Sequence, residues 1–486
     1  VNDISTQAVG GAASAVAPLK PDLCVIGAGS GGLSVAAAAA MMGVQVVLIE
    51  RDRMGGDCLN VGCVPSKALI AAAAEAVGHA GGRILPGRTV PPADFAAAMA
   101  HVRRVIAAIA PNDSEARFRA LGVTVLKAEA RFVDGRTVEA GGQSIRARRF
   151  IIATGSRPKL PPIPGLAEAE PLTNESIFSL TERPELLIVI GAGPIGLELG
   201  QTFRRLGAAV TVLEAGRPLA KDDPEAAAVV LRALEHEGVV LRSGVRIAAV
   251  SREGDGAVSV ALEGGETVTG SHLLVAAGRA PTITGLELEK ADVATSASGI
   301  VVDAGLRTSN RRIYAIGDVA GGLQFTHAAN QHAGLVVRSA LFRMPVRFEP
   351  SLIPRVTYTA PELAAVGLSE EEAIARHGKD IRILRWPFAE NDRAQATAET
   401  EGHIKVLTRA NGRILGCTIV GAHAGELITP WTLAIGQKLG ISAMAGLVVP
   451  YPTLSEVSKR VATSFYLKNL RHPLLRRLLA VLRSLG

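Results

Sequence analysis

One pattern occurs twice in this chain, and it constrains the fold more than any other feature. Asp22-Leu-Cys-Val-Ile26 reads as a buried strand that runs into Gly27-Ala-Gly29-Ser-Gly-Gly32, an Ala-rich helix and a second strand, Val44 to Glu50. Leu186 to Ile190 runs likewise into Gly191-Ala-Gly193-Pro-Ile-Gly196, a helix and the strand Ala209 to Glu214. In both copies the first Gly and the closing Glu are 23 positions apart, close to the spacing of a dinucleotide-binding βαβ unit. The first Gly permits a tight turn, the second lets the backbone approach a pyrophosphate, and the third lets helix and strand pack closely. The helix N-terminus attracts the phosphates, and the closing Glu accepts hydrogen bonds from ribose hydroxyls. One such glycine run is weak evidence, but two in strand-turn-helix-strand context imply two dinucleotide sites.

Two units of this kind need a long chain, and 486 residues suit about three domains of roughly 150 residues each. Hydrophobic residues at 48% and charged residues at 20% fit a globular protein and exclude a disordered one. The longest apolar stretch, Leu33 to Ile49, is interrupted by Ser34, Gly43 and Gln45, so no membrane-spanning helix is expected. Val1 to Pro18 has neither a basic nor an apolar signal region and reads as a flexible lead-in. Four cysteines suit a reducing compartment, and a cytoplasmic location is expected.

The net charge of +7 suggests a polyanionic partner until its distribution is read. Lys459, Arg460, Lys468, Arg471, Arg476, Arg477 and Arg483 lie in the last 29 residues with no acid among them, leaving 45 basic and 45 acidic residues before them. The body is neutral, and no nucleic-acid partner is expected.

Phe150 to Gly155, Leu273 to Arg279 and Ile313 to Asp318 read as further strand ends, with the Pro-dense run Arg157 to Pro164 as a linker. The last of these follows the second glycine unit, so the first domain is built discontinuously. The expected architecture is α/β: two Rossmann-like domains, 21–160 with 283–350 and 161–282, then an α+β domain over 351–465 and a tail over 466–486.

Cys58 and Cys63 lie in Gly55-Gly-Asp-Cys58-Leu-Asn-Val-Gly-Cys63-Val-Pro-Ser-Lys67. Their spacing can close a disulfide across a distorted first helical turn, and a thiolate beside a helix N-terminus is stabilised. Zinc binding is the competing reading, but two sulfurs with no second pair or His cluster make an incomplete site, and no metal site is expected. Cys24 and Cys417, both in strands, read as core residues.

From about Pro21 to Phe465 the chain resembles the pyridine nucleotide-disulfide oxidoreductases, the group that includes dihydrolipoamide dehydrogenase, glutathione reductase and mercuric reductase. The resemblance is carried by both glycine units, the segment Cys58 to Lys67, Ala153-Thr-Gly-Ser-Arg-Pro158, Ala277-Gly-Arg-Ala-Pro281, Ala315-Ile-Gly-Asp318 and Val356 to Gly367. It implies FAD on the first unit, with Gly27, Gly29, Gly32, Glu50, Gly56, Lys67, Thr154, Gly155, Asp318, His327 and Ala328 around it. It implies a nicotinamide nucleotide on the second, with Gly191, Gly193, Gly196, Glu214, Gly278 and Arg279. It also implies a homodimer whose active site is shared across the interface. Lys67 resembles the lysine beside flavin N5, paired with Glu198, although Glu198 read alone is an ordinary helix-surface acid. The implied path carries a hydride from nicotinamide to flavin and two electrons on to the disulfide. Cys63 would be the flavin-side thiolate and Cys58 the outward thiol. Glu214 suits the ribose 2′-hydroxyl and repels a 2′-phosphate, so NAD is expected over NADP, with Arg217 the feature that favours NADP.

The chain departs from that family at one position. Disulfide-reducing members end in His-Pro-Thr-x-x-Glu, the histidine exchanging protons with the outward thiol; here the run is Tyr451-Pro452-Thr453-Leu-Ser-Glu456. A phenol with an ordinary pKa near 10 is a poor base at neutral pH, where general acid-base help is worth about 10² to 10⁴ in rate. Mercuric reductases resemble this chain in carrying tyrosine there, but they usually end in a metal-handling cysteine pair, and no cysteine follows Cys417. The first expectation is an enzyme passing electrons to a metal ion, quinone or specialised thiol carrier. Dihydrolipoamide dehydrogenase is the second, and a flavin-bearing subunit of a larger electron-transfer assembly is the third.

The basic tail lies past the family's usual end. Leu474, Leu475, Leu478, Leu479, Leu482 and Leu485 recur at helical spacing, with Arg476, Arg477 and Arg483 off that stripe. Packing on its own dimer is the plainer expectation for such a helix, and a peripheral membrane contact is the competing one.

Overall fold

The computed structural model describes residues 17–80, 94–254, 256–470 and 473–485. The lead-in read over Val1 to Pro18 therefore falls, up to residue 16, outside the described residues. Packing divides the chain into two compact units, Val1–Gly56 with Pro111–Ser156 and Pro281–Phe348, and Asp57–Ala110 with Arg157–Ala280 and Glu349–Gly486.

In the first unit, five strands form one parallel sheet in the order Ile313–Ala315, Arg149–Ile152, Leu23–Ile26, Val46–Glu50 and Thr124–Lys127. The central strands read as unbroken apolar runs because both sheet faces are covered. Helices Ser30–Met41 and Thr326–Phe342 cover one face through Val35, Ala36, Ala39, Ala333 and Val336. The other face packs on an antiparallel layer that includes Phe132 and Val138, with the Phe132 and Phe150 rings edge to face at 5.5 Å. The strand Ile313–Ala315 comes from far along the sequence, which makes this sheet discontinuous.

The second unit holds a four-stranded parallel sheet, ordered Val239–Ser243, Ala209–Glu214, Leu186–Ile190 and His272–Val275. It also holds a five-stranded antiparallel sheet ordered Arg355–Thr357, Glu362–Gly367, Ile414–Gly421, His403–Arg409 and Ile381–Pro387. The second sheet packs on helices Thr429–Gly436 and Glu456–Leu470 around buried Trp431, Phe388, Val457 and Val461. The described residues 57–80 and 94–110, which the sequence-based division places in 21–160, group with this unit. Their apolar faces explain why: Leu69, Ala73, Met99 and Val102 join one core with Leu197 and Phe203 of helix Pro194–Arg205.

By length and composition, one helical stretch among the described residues, Gly56–Gly78, is long and apolar enough to cross a membrane. Several of its apolar residues serve the core just described, and it carries the charged Lys67 engaged in an ion pair.

The second unit also holds an ion cluster around one buried lysine. Lys405, 3% exposed, donates to Asp223 at 2.8 Å and to Glu370, with Glu225 at 3.4 Å. Burial alone would depress the ammonium, but the hydrogen bonds to Asp223 and Glu370 outweigh it and raise its pKa. Asp223 also caps helix Pro224–His236, so Lys405 ties the antiparallel sheet to the nucleotide-type sheet. Removing one partner of a buried ion pair strands the others. Lys405→Met is therefore expected to destabilise the protein by about 3–5 kcal/mol, read from the shift in its urea denaturation midpoint.

Candidate functional site

Each glycine turn shows which of its glycines the protein itself requires. Gly27 and Gly191 adopt φ of +103° and +107°. A Cβ on Gly191 would come 2.6 Å from the Ala276 oxygen, and one on Gly27 would meet the Ala153 oxygen in the same way. A Cβ on Gly32 would overlap the Gly27 oxygen, and one on Gly196 the Gly191 oxygen. The middle glycines differ: nothing lies within 4 Å of a Cβ built on Gly29 or Gly193. Packing does not exclude a side chain there, so a cradle that keeps its backbone bare fits a ligand pressed against it.

Both cradles close on a carboxylate. Glu50 accepts from the Ala28 N–H at 2.6 Å and the Asp52 N–H at 2.8 Å. Glu214 accepts from the Ala192 N–H at 2.8 Å and the Gly216 N–H at 2.8 Å. The two sites are near-copies down to their hydrogen bonds. Arg217, the feature that favours a 2′-phosphate, donates to the Ala220 carbonyl at 2.6 Å.

In the first unit the remaining candidates gather round the same strand ends. Gly56, at φ +56°, packs so closely that a Cβ on it would lie 2.7 Å from the Gly29 Cα. Thr154 donates to the Thr282 carbonyl at 2.7 Å, and the Gly155 oxygen accepts from the Thr282 N–H. Asp318 accepts from Ser156 Oγ at 2.5 Å, a partner not singled out from sequence. His327 and Ala328 lie in the first turn of helix Thr326–Phe342, whose positive dipole end suits an electron-rich group. A bare glycine turn, two carboxylates and a helix N-terminus are chemistry that suits a flavin dinucleotide.

The cysteines belong to the second unit. Cys58 lies in the short helix Gly56–Asn60 and is half-buried; Cys63 opens helix Cys63–Ala80 and is exposed. The break between these helices supplies the distorted turn expected from the spacing. Cys24 and Cys417 are buried, and burial pushes both thiols well above the ordinary range. Among the described residues no group of three His, Cys, Asp or Glu side chains could hold a metal ion.

One helical turn past Cys63, Lys67 donates to Glu198 Oε2 at 2.8 Å. Glu198 is 6% exposed, so it is not the surface acid that its helix position alone suggests. Its other oxygen accepts from the Tyr358 N–H at 2.9 Å, and the Lys67 ammonium sits 4.4 Å above the Tyr358 ring. Burial raises the Tyr358 phenol pKa, with Lys67 opposing it. Tyr358 thus holds both members of the pair; it lies in the segment Val356 to Gly367 that carries the resemblance, but had no role assigned to it from sequence.

Arg279, expected at a nucleotide, also reaches the cysteine segment. It pairs with Asp57, next to Cys58, and donates to Asn174 Oδ1 at 3.1 Å, while Asn174 donates to the Val61 carbonyl between the cysteines at 3.2 Å. Arg279 and Asn174 brace the cysteine turn from two sides.

Tyr451 is 70% exposed, and its phenol donates to Asp392 Oδ2 at 2.9 Å. That hydrogen bond, with the Asp392 charge, raises the phenol pKa and holds it protonated. Glu456, the expected partner, opens helix Glu456–Leu470 and lies 3.9 Å from Arg460. Asp392 went unmarked because it lies 59 residues from Tyr451 in a short helix with no motif of its own.

Two dinucleotide cradles, a cysteine pair opening a helix and a Lys–Glu pair one turn on define a flavin- and nicotinamide-dependent disulfide oxidoreductase. Family models bear this out: residues 21–333 match the pyridine nucleotide-disulphide oxidoreductases, and residues 353–462 match the dimerisation domain of that family. The chain belongs to this FAD-dependent, NAD(P)H-using family, and its dimerisation domain supports a homodimer. It is 35% identical to a mercuric reductase of Streptomyces lividans over 91% of this chain and 96% of that one. It is 38% identical to a dihydrolipoyl dehydrogenase of Thermus scotoductus over 90% and 95%. Its structure matches the HOCl-induced flavoprotein disulfide reductase RclA of Escherichia coli at a TM-score of 0.81 and 27% identity, over 91% of this chain and 99% of that one.

Arg279→Leu is expected to loosen the cysteine turn without unfolding the protein. Alkylation of reduced Cys58 by iodoacetamide should accelerate several-fold with the circular dichroism unchanged. An unaltered rate would show that the brace does not hold the turn.

Proposed function

We propose that this enzyme takes two electrons from NADH onto the Cys58–Cys63 pair and delivers them to a thiophilic metal ion. The observation that carries this reading is Tyr451, whose phenol is kept protonated by Asp392 at the position where disulfide-reducing relatives hold a histidine base. A disulfide substrate leaves as thiols and needs a group that cycles a proton near neutral pH. A metal ion bound by thiolates needs electrons only. Each NADH would reduce two Cu(II) ions to Cu(I), or one Hg(II) to the metal, as the cysteine pair recloses. The similarity to mercuric reductases supports a metal acceptor, and the solved relatives include a Cu(II) complex of RclA. Copper is the first candidate, because a Cu(II) complex is known for the structurally similar RclA.

When bound, FAD supplies the two-electron relay between nicotinamide and the cysteines. The chain contributes the rest. The first cradle and Asp318 hold the dinucleotide, Glu198 and Tyr358 fix the Lys67 ammonium, and the helix N-terminus at Cys63 stabilises its thiolate. Glu214 supports NADH over NADPH because its carboxylate would repel a 2′-phosphate. The four cysteines of the chain support a reducing, cytoplasmic setting.

Dihydrolipoamide dehydrogenase is the second reading, favoured by the 38% identity to the Thermus scotoductus enzyme. A panel of Cu(II), Hg(II), a quinone, lipoamide and glutathione disulfide, each run with NADH and NADPH, separates the two. Oxidation of NADH is expected to be fastest with Cu(II) and slow with lipoamide. Rapid lipoamide turnover would sink the metal reading, and NADPH turnover equal to NADH would sink the role given to Glu214.

Tyr451→His restores an imidazole at that position. Lipoamide turnover is expected to rise by roughly 10² or more, toward the range of general acid-base catalysis, with a new pH dependence near 6.5. An unchanged rate and a flat profile would show that Tyr451 does not face the disulfide substrate.

A further inference from the structure

The matched dimerisation domain ends at residue 462, and the chain continues into a separate helix, Pro473–Ser484. Nothing in the family reading uses this helix. Leu478, Leu479, Val481 and Leu482 are each about half exposed, and Leu485 just beyond the helix is 76% exposed. At 3.6 residues per turn these five side chains share one arc of about 160°, bounded by Val481 on one side and Leu479 on the other. Arg477 and Arg483 stand at opposite borders of that arc, each about 40° outside it. Both are exposed.

We propose that this helix lies on an anionic phospholipid surface, with the leucine face in the headgroup–acyl boundary and the two arginines reaching outward to lipid phosphates. Cations at both borders of an apolar face suit a flat anionic surface, where long side chains bury their stems and keep their guanidinium groups among the phosphates. A twin helix suits the face less well. No acidic residue follows Glu456, so pairing two copies would set like charges against each other with no counter-charge in either segment. The proposal rests on the tail alone and does not depend on which acceptor the enzyme uses.

The test is sedimentation of the full-length, FAD-loaded protein with vesicles of phosphatidylcholine alone or with about one-third phosphatidylglycerol, at low and high salt. Binding is expected to the anionic vesicles only and to fall at high salt. Each cation near such a surface is worth on the order of fivefold in affinity, so the double variant Arg477→Glu, Arg483→Glu should bind at least ~10-fold more weakly. Leu478→Ser with Leu482→Ser, and truncation after Leu470, should abolish binding while NADH oxidation persists. Three outcomes would overturn the proposal. They are failure to bind anionic vesicles at low salt, equal binding to both vesicle types, and a truncated or Leu-substituted protein that turns monomeric in light scattering while the intact dimer ignores vesicles.

Discussion

In each dinucleotide turn, the carbonyl oxygen of the first glycine occupies the space that a side chain on the third would need. That contact lets the helix start immediately after its strand. The helix N-terminus then points past the strand end, and the carboxylate closing the unit reaches back to the turn's own N–H groups. Glu50 and Glu214 make the same pair of hydrogen bonds in the two copies. No protein atom takes the space that a side chain on Gly29 or Gly193 would fill. Phosphate affinity thus follows from close packing at one atom, and the ribose-facing acid follows from the same turn.

Features written in contiguous residues were legible from the sequence. The glycine turns, their closing acids and the strands Leu186–Ile190 and Ala209–Glu214 all depend on residues within one βαβ unit. The cysteine turn was legible for the same reason. Contacts made by distant segments were not. Asp392 reaches Tyr451 across 59 residues, and Arg279 reaches Asp57 across 222. An arginine in a glycine-rich strand end carries no sign of whether it meets a phosphate or a carboxylate. The packing of helices Cys63–Ala80 and Phe95–Ile109 was hidden likewise, because an Ala-rich apolar helix does not announce which partner will cover it.

The environment of the cysteine pair comes from four separate stretches of the second unit. Asp57 and Lys67 flank the cysteines, Asn174 and Glu198 come from either side of strand Leu186–Ile190, Arg279 follows the strand His272–Val275, and Tyr358 lies between strands Arg355–Thr357 and Glu362–Gly367 of the antiparallel sheet. Glu198 shows why such convergence is needed. A carboxylate buried in this way is costly unless it is paired and its oxygens are satisfied. Lys67 takes one oxygen and the Tyr358 N–H the other, which leaves the ammonium held from two directions. Losing the segment of Lys67 or of Tyr358 would leave a buried Glu198 oxygen without its partner, so this part of the site and the packing of this unit form together.

Tyr451 bears on the chemistry through what it cannot do. An imidazole in its place would accept a proton near neutral pH, release it and repeat. A phenol bonded to a carboxylate moves the opposite way: ionisation would set two anions 2.9 Å apart, so the proton stays through and beyond the physiological range. Such a group can donate a hydrogen bond or cover a thiolate, but it cannot relay protons to a leaving thiol. Electron delivery is unaffected, because it depends on the cysteines and the cofactor cradles, which are intact. On the function proposed above, this chain separates two roles that the histidine-bearing relatives combine, keeping the reducing power of a disulfide reductase without its proton relay. The acceptors that lose nothing by this change are those that take electrons without releasing a thiol.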